Sequence, residues 1–330
     1  MNTKLEILKY VEKYTDILDE IGNIKDRVLI EDSSKNLFNK INNKLNSRKA
    51  RLKKPKFEVA IIGLEKAGKS TFANALLKDD YLPQAPNRCT YTTTTIESSK
   101  ENNRATISFY TKNEFLESFQ ATCKDIELQN IDFETITLDS FEKILQEKSA
   151  LFQNSNNADD IRAIIKNRDD IKKYLDKSDE IIESNIKNSI KPFIVDEKIA
   201  RAVKNINILS NEFKDFDDMV LYDVPGFDSP TKFHMEQAKK YLLRADVVIL
   251  LVSIADNVSF TKMLADYIKD VKDEDGTTLK RKLIIGATKF DFHIHGNKDE
   301  DLKGIEERKE LLIKECKKFD IYKEENFFLT

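Results

Sequence analysis

The chain is 330 residues long, 40% hydrophobic and 34% charged, with 55 Lys and Arg set against 58 Asp and Glu for a net charge of -3. That supplies a core for one large domain or a main domain with an attachment, and the cancelled charge removes any general electrostatic case for nucleic acid. The 3 cysteines, Cys89, Cys123 and Cys316, lack CxxC spacing and suit a reducing compartment; without a signal-like N-terminus or an apolar run of bilayer length, the sequence predicts a cytoplasmic protein, peripheral to a membrane at most.

Residues 4 to 47 read as helix. Leu5, Leu8, Val11, Tyr14, Ile17, Leu18 and Ile21 recur at three- and four-residue spacing, and Leu37, Phe38, Ile41 and Leu45 repeat the pattern within Lys35 to Leu45. Such a stripe needs a partner surface, because a short helix gains little from its own hydrogen bonds. Between Ser47 and Lys56 the chain turns basic, with Arg48, Lys49, Arg51, Lys53, Lys54 and Lys56, and Pro55 near its end. A contact with an anionic surface and a solvated connection to the first strand both fit. The connection is favoured, since no aromatic residues interleave and the net charge is slightly negative.

From Phe57 onward, strand-like and helix-like runs alternate, which predicts an α/β fold with a mostly parallel central sheet flanked by helices. The run Phe57–Ile62 is short, apolar and β-branched, the pattern of a buried strand. It leads into Gly63-Leu64-Glu65-Lys66-Ala67-Gly68-Lys69-Ser70-Thr71, a Walker-type phosphate loop, and then a helical run to Leu77. The two glycines permit backbone angles that side chains forbid, so successive N–H groups can converge on phosphate oxygens. The helix N-terminus adds partial positive charge. Lys69 would neutralise the β- and γ-phosphates, and the Ser70 hydroxyl would ligate magnesium. The stretch Leu82 to Thr95 is rich in threonine, and one hydroxyl there should close on magnesium. Thr90 is preferred, with Thr93 as the alternate, because later threonines suit the start of the next strand.

Thr94–Ser98 and Arg104–Tyr110 are predicted strands, joined as a hairpin around Glu101-Asn102-Asn103 that makes one edge antiparallel. From about 112 to 200 the alternation breaks. Ile161, Ile164, Ile165, Ile171, Leu175, Ile181, Ile182 and Ile186 lie among many charges, which suggests amphipathic helix over Asp159 to Ile190. This long helical insertion serves either as an elaboration of the fold or as a partner-binding element.

The apolar strand Met219–Asp223 brings Asp223 to the carboxyl edge of the sheet, where open α/β sheets bind ligands. Asp223 would hold magnesium through water, and the Gly226 N–H of the DxPG sequence would sense the γ-phosphate. Val247–Val252 is a further strand. Leu283–Thr288 ends in Thr288-Lys289-Phe290-Asp291. The Asp291 carboxylate can accept two parallel hydrogen bonds from guanine that adenine does not present in that arrangement, and the Lys289 stem can lie across the base. Third in order after two phosphate elements, this sequence makes the nucleotide GTP. His293 and His295 flank Ile294 in an acidic loop and His234 is distant, so no zinc site is expected. Asn326–Leu329 is the last predicted strand.

The ordered set Gly63–Ser70, the threonine stretch, Asp223–Gly226 and Thr288–Asp291 resembles the GTPase domain of the dynamin superfamily, its bacterial members especially. Ala67-Gly68-Lys69-Ser70, Leu82-Pro83, Pro225 and the N-terminal helix favour that resemblance over a small Ras-like GTPase. It implies a P-loop GTPase domain over 55–330 carrying the helical insertion, and an N-terminal helical neck segment over 1–54. It also implies Mg2+-dependent hydrolysis of GTP to GDP and nucleotide-dependent self-association across the active-site face or with a second dynamin-like chain. Membrane remodelling would run through parts outside this chain. The insertion matches nothing in the family pattern.

Two departures stand out. Family loops often carry Gln-Ser where this chain has Glu65-Lys66, positions that orient the attacking water and bind a charge-compensating monovalent cation. Either the Lys66 ammonium supplies that charge itself or it points to solvent; Glu65 or a switch residue would position the water. The expected catalytic residues are therefore Lys69, Glu65, Lys66 and Thr90, with Arg88 offered either as a cis arginine finger or as a surface or ribose contact. The chain also stops where such GTPases continue into a guanine loop and a final helix, so the expectation is a piece of a larger protein, or one that works with a second polypeptide. The rival readings are a GTP-binding assembly module with little turnover and a ribosome- or RNA-associated GTPase; the acidic balance disfavours the second.

Overall fold

The computed structural model describes residues 3–25, 32–64, 66–78, 80–82, 92–101, 103–153, 155–213, 216–224, 232–255, 262–272, 277–294, 296 and 298–329. Helices α1 (Thr3–Lys25) and α2 (Asp32–Lys53) precede β1 (Phe57–Gly63), α3 (Lys69–Leu77), β2 (Thr93–Ser98) and β3 (Arg104–Phe109). Five helices follow, α4 (Lys112–Asp125), α5 (Leu138–Gln146), α6 (Ala150–Gln153), α7 (Asn156–Lys166) and α8 (Arg168–Lys172), then β4 (Glu180–Ile182), α9 (Ile186–Val195) and β5 (Val203–Ser210). The rest alternates: β6 (Met219–Asp223), α10 (Lys232–Arg244), β7 (Val247–Ser253), α11 (Lys262–Asp270), β8 (Leu283–Thr288), α12 (Lys298–Lys318) and β9 (Phe327–Leu329).

Among the described residues the strands form one sheet in the order β4-β3-β5-β2-β6-β1-β7-β8-β9. β1 runs parallel to both β6 and β7, and β8 and β9 continue in parallel. The chain is thus α/β, with a mostly parallel sheet flanked by helices. β1 is buried at every residue but its first, which is why its run Val59–Ile62 is continuously apolar rather than alternating. Ala60 and Ile62 join Leu242, Leu264, Ile268 and Leu312 in one core. Val59 and Ile61 join Ala73, Leu77, Ile190 and Phe193 in a second core. Both layers hold β1 rigid, and β1 ends at the phosphate loop.

The predicted β2–β3 hairpin is not formed. β5 lies between them, parallel to β2 and antiparallel to β3. Its sequence, Val203-Lys204-Asn205-Ile206-Asn207-Ile208, alternates polar and apolar residues, and only the apolar set is fully buried. The antiparallel edge exists, but β3, β4 and β5 make it.

The predicted helix over Asp159 to Ile190 is likewise divided into α7, α8, the short edge strand β4 and the start of α9. Most of the insertion folds around its own apolar cluster, with Phe119, Phe133, Phe141, Ile161 and Ile171 fully buried or nearly so. Its helix starts are written locally: Thr111 and Glu114 form a capping box on α4, and Ser155 caps α7. The buried pair Asp160–Arg201, at 3.4 Å, ties this unit to the chain entering β5. α9 instead packs under the sheet with α3, so the insertion is continuous with the core rather than appended to it.

α1 and α2 pack against each other, and Lys53 Nζ meets Glu12 Oε1 at 2.9 Å. Ile7, Tyr10, Tyr14, Ile17, Ile21, Leu37 and Ile41 keep more than a third of their surface exposed. The basic stretch is largely the end of α2, bound up in internal pairs. Arg51 meets Asp246 at 3.4 Å, Lys54 meets Glu58 at 3.2 Å and Lys56 meets Glu97 at 2.8 Å. Those pairs make it the connection between helices and sheet. Among the described residues, no helix is long and apolar enough to cross a membrane. Cys123 and Cys316 are free and buried, and burial pushes both thiols up to about 12; Cys89 lies outside the described residues.

Candidate functional site

The phosphate loop leaves β1 where a side chain is forbidden. A Cβ on Gly63 would sit 2.5 Å from the Leu251 carbonyl oxygen of β7. Gly68 has φ +86°, left-handed, and starts α3 without a side-chain cap, so the first-turn N–H groups of that helix are left to an external acceptor. Lys66 is also left-handed, at φ 58°, and is exposed. The turn is closed by the Ala67 N–H donating to Leu64 O at 3.2 Å.

Lys69 is the first residue of α3 and is 7% exposed. Its Nζ donates to Gly63 O at 3.3 Å and to Leu64 O at 3.0 Å, so the ammonium lies across the loop itself. One residue on, the Ser70 hydroxyl donates to Asp223 Oδ2 at 3.4 Å. Asp223 closes β6 and is 1% exposed. Its Oδ1 has no hydrogen-bond partner among the described residues. Burial pushes its carboxyl up to about 6, opposed by the Lys69 charge and the Ser70 hydrogen bond. A hydroxyl and a buried carboxylate with an unused oxygen, side by side, are hard oxygen donors of the kind Mg2+ takes.

The sequence Thr288–Asp291 is tied to the same loop. Thr288, the last residue of β8, donates from Oγ1 to Ala67 O at 2.8 Å. Lys289 turns left-handed at φ 62° and starts a 3-10 helix, Phe290–His293, on which Asp291 is exposed. The Lys289 ammonium lies 6.0 Å from the Phe292 ring centroid. Gly286 lets this strand sit against β9, since a Cβ there would lie 2.6 Å from the Phe328 ring.

Gly63, Leu64, Ala67, Gly68, Lys69, Ser70, Asp223 and Thr288 therefore converge, with Lys66 at the loop and Lys289 and Asp291 on the neighbouring strand end. Thr71 is exposed on α3. Thr93 begins β2, is 4% exposed and pairs with Asn205. Glu65, Arg88, Thr90 and Gly226 lie outside the described residues, as does His295. His293 Nε2 shares a hydrogen bond with Ile254 O at 2.9 Å. Sequence reasoning missed Asn74, a buried carboxamide on α3; its only signal was a polar residue on the inward side of an apolar helix.

A family model described as Dynamin family matches residues 59–285. Dynamin-like protein A of Bacillus subtilis (strain 168) is 28% identical over 203 residues, which is 60% of this chain and 16% of that protein. Two solved chains, both from work on an oligomerised bacterial dynamin pair described as a mechanism for long-range sensing and tethering of membranes, share the fold. One has a TM-score of 0.51 and 21% identity over 99% of this chain and 38% of its own. The other has a TM-score of 0.52 and 20% identity over 100% of this chain and 46% of its own. The chain spans less than half the length of each of these relatives.

Proposed function

The chain belongs to the dynamin family, and we propose that it binds GTP with Mg2+ and hydrolyses it to GDP and phosphate. The observation that carries this reading is Asp223, a buried carboxylate with one oxygen unused among the described residues, held beside Ser70 at the phosphate loop. A buried charge without a partner is costly unless a ligand completes it. Ser70 and Asp223 would hold the metal, with Thr90 as a further oxygen donor, and the bound ion would draw negative charge from the phosphate oxygens.

In the proposed reaction a water oxygen bonds to the γ-phosphorus, the bond from phosphorus to the bridging oxygen breaks with its electron pair kept by the β-phosphate of GDP, and both protons of the water leave with the phosphate product. Lys69 exchanges its contacts to Gly63 O and Leu64 O for phosphate oxygens and neutralises charge that builds on them. The loop N–H groups and the α3 N-terminus do the same from the backbone. Glu65 orients the water. Lys66 supplies positive charge between the β- and γ-phosphates. Thr288 keeps the base-recognition turn in register with the phosphate loop, while Lys289 and Asp291 take guanine.

Residues 1–54 would serve as a neck segment beside a GTPase domain over 55–330. Self-association across the nucleotide face, and contact with a membrane through parts outside this chain, would give the hydrolysis its use. The test is single-turnover hydrolysis by the wild type and Lys69→Ala. A loss of at least about 100-fold in the variant is expected; equal rates would overturn the reading. Tight GTP binding without turnover in the wild type would favour the assembly module. For Lys66, rates in sodium, potassium and a large inert cation should be similar, and a strong potassium requirement would sink that role.

A further inference from the structure

Ile254 directly follows β7 and is fully buried, at 0% exposure, so both polar groups of its backbone need partners. The partners come from opposite ends of one turn. The Ile254 N–H donates to Thr288 O at 3.0 Å, and Ile254 O lies 2.9 Å from His293 Nε2. A carbonyl oxygen only accepts, so Nε2 carries the proton and donates. Asp291 stands between these two bonds, exposed on the 3-10 turn Phe290–His293.

The two ends of the turn are held differently. Thr288 pairs with Ser253 in the sheet and donates from Oγ1 to Ala67 O, so backbone and side chain both fix it against the phosphate loop. Past it, the Phe292 N–H donates to Lys289 O at 3.4 Å and the Ile294 N–H to Asp291 O at 3.0 Å. Those bonds shape the turn without tying it to the sheet. Phe290 packs on the core, but apolar packing is non-directional. Among the described residues, His293 makes the one hydrogen bond from 290–294 to the sheet side. Ile254 is itself placed by β7, which pairs with β1 along Val59–Gly63. One peptide residue therefore staples both ends of the turn to the strand beside β1.

We propose that His293 is a positioning residue for base recognition: its bond to Ile254 O sets how Asp291 is presented relative to the phosphate loop, and so the preference for guanine over adenine. This rests on the GTP reading above. The Asp291 carboxylate must meet two parallel donors at once, which tolerates little displacement. Asp291 is exposed, so burial does not hold it in place; the bonds on either side of it do. A histidine kept only to satisfy a buried carbonyl would act on stability and not on the choice of base.

The test measures GDP and ADP affinities by titration calorimetry for the wild type, His293→Ala, His293→Gln, Asp291→Ala and the His293→Ala/Asp291→Ala double variant. The wild type should prefer GDP. His293→Ala is expected to lose at least about ten-fold in GDP affinity while ADP affinity holds. His293→Gln, whose amide can donate to the same carbonyl, should recover part of that loss. On Asp291→Ala the second change should cost nothing further, since no carboxylate is left to place. A wild-type GDP-to-ADP ratio in His293→Ala would overturn the proposal. So would equal weakening of both nucleotides, the mark of a general fold role, or the full loss repeated in the double variant. If the wild type binds both nucleotides alike, or Asp291→Ala keeps the preference, the guanine reading falls and takes the proposal with it. A preference that depends on Asp291 but not on His293 removes the proposal alone.

Discussion

Two buried carboxylates stand at opposite ends of the strands around β1, and the protein treats them differently. Near the start of β1, Glu58 is 6% exposed and one of its oxygens is met by Lys54 at 3.2 Å and Arg244 at 3.3 Å. At the other edge, Asp223 is 1% exposed, and its bonded oxygen meets the Ser70 hydroxyl at 3.4 Å. Each has a second oxygen without a hydrogen bond among the described residues. The difference lies in what faces the first. Glu58 is balanced by cations from the protein and locks α2 and α10 to the base of the sheet. At Asp223 burial pushes the carboxyl up to about 6, against the Lys69 charge and the Ser70 hydrogen bond. Burial of charge alone therefore does not mark a candidate site; burial that outweighs the protein's own counter-charge does.

The largest expected effect breaks this comparison if it fails. Asp223→Asn should cost at least about 100-fold in GTP turnover. The same change should stabilise the nucleotide-free protein by about 1 kcal/mol, because it removes a buried charge that the Lys69 charge and the Ser70 bond offset only in part. Steady-state rates and a thermal melt without nucleotide check the two halves. A lower melting temperature would mean that the Asp223 charge is already satisfied in the protein.

Next in size is Gly63→Ala, which forces a Cβ toward the Leu251 carbonyl at 2.5 Å, a backbone atom that cannot rotate away. A loss of about 1–3 kcal/mol in urea unfolding is expected, with weaker GDP binding. Glu58→Gln should act at the other end alone. It should cost about 1 kcal/mol and leave turnover as in the wild type; a fall in turnover with unchanged stability would erase the distinction between the two ends. Thr288→Val, which deletes the bond to Ala67 O at 2.8 Å, should cost about 1 kcal/mol, read as a several-fold weaker GDP affinity. The smallest change is Arg51→Ala. Its pair with Asp246 is partly exposed, so a stability change of about 0.5 kcal/mol is expected, measured by urea unfolding.

The site was more legible than the sheet that carries it. Gly63–Ser70, Asp223 and Thr288–Asp291 are runs of adjacent residues whose spacing is itself the chemistry, and local sequence shows it. β5 was not legible, because Val203–Ser210 alternates with asparagines and its partner β2 lies more than a hundred residues away. Without β5, the short link between β2 and β3 reads as a hairpin. β4 is three residues long, Glu180–Ile182, and becomes a strand only because β3 is beside it. Asn74 was invisible for a similar reason: its partner is backbone, and backbone carries no sequence signal.

By itself the sequence pointed to a ligand class, since a Walker-type loop, a strand-ending aspartate and a TKxD turn each draw on residues only a few positions apart. It also determined the α/β class, through the alternation of apolar strands with helical runs. Only the tertiary structure decided which strands neighbour one another and which carboxylate is balanced from within. It also decided how α3 grips Leu82. Each of these depends on groups that are distant in the chain and on how far folding removes them from water, and neither distance nor desolvation is written locally.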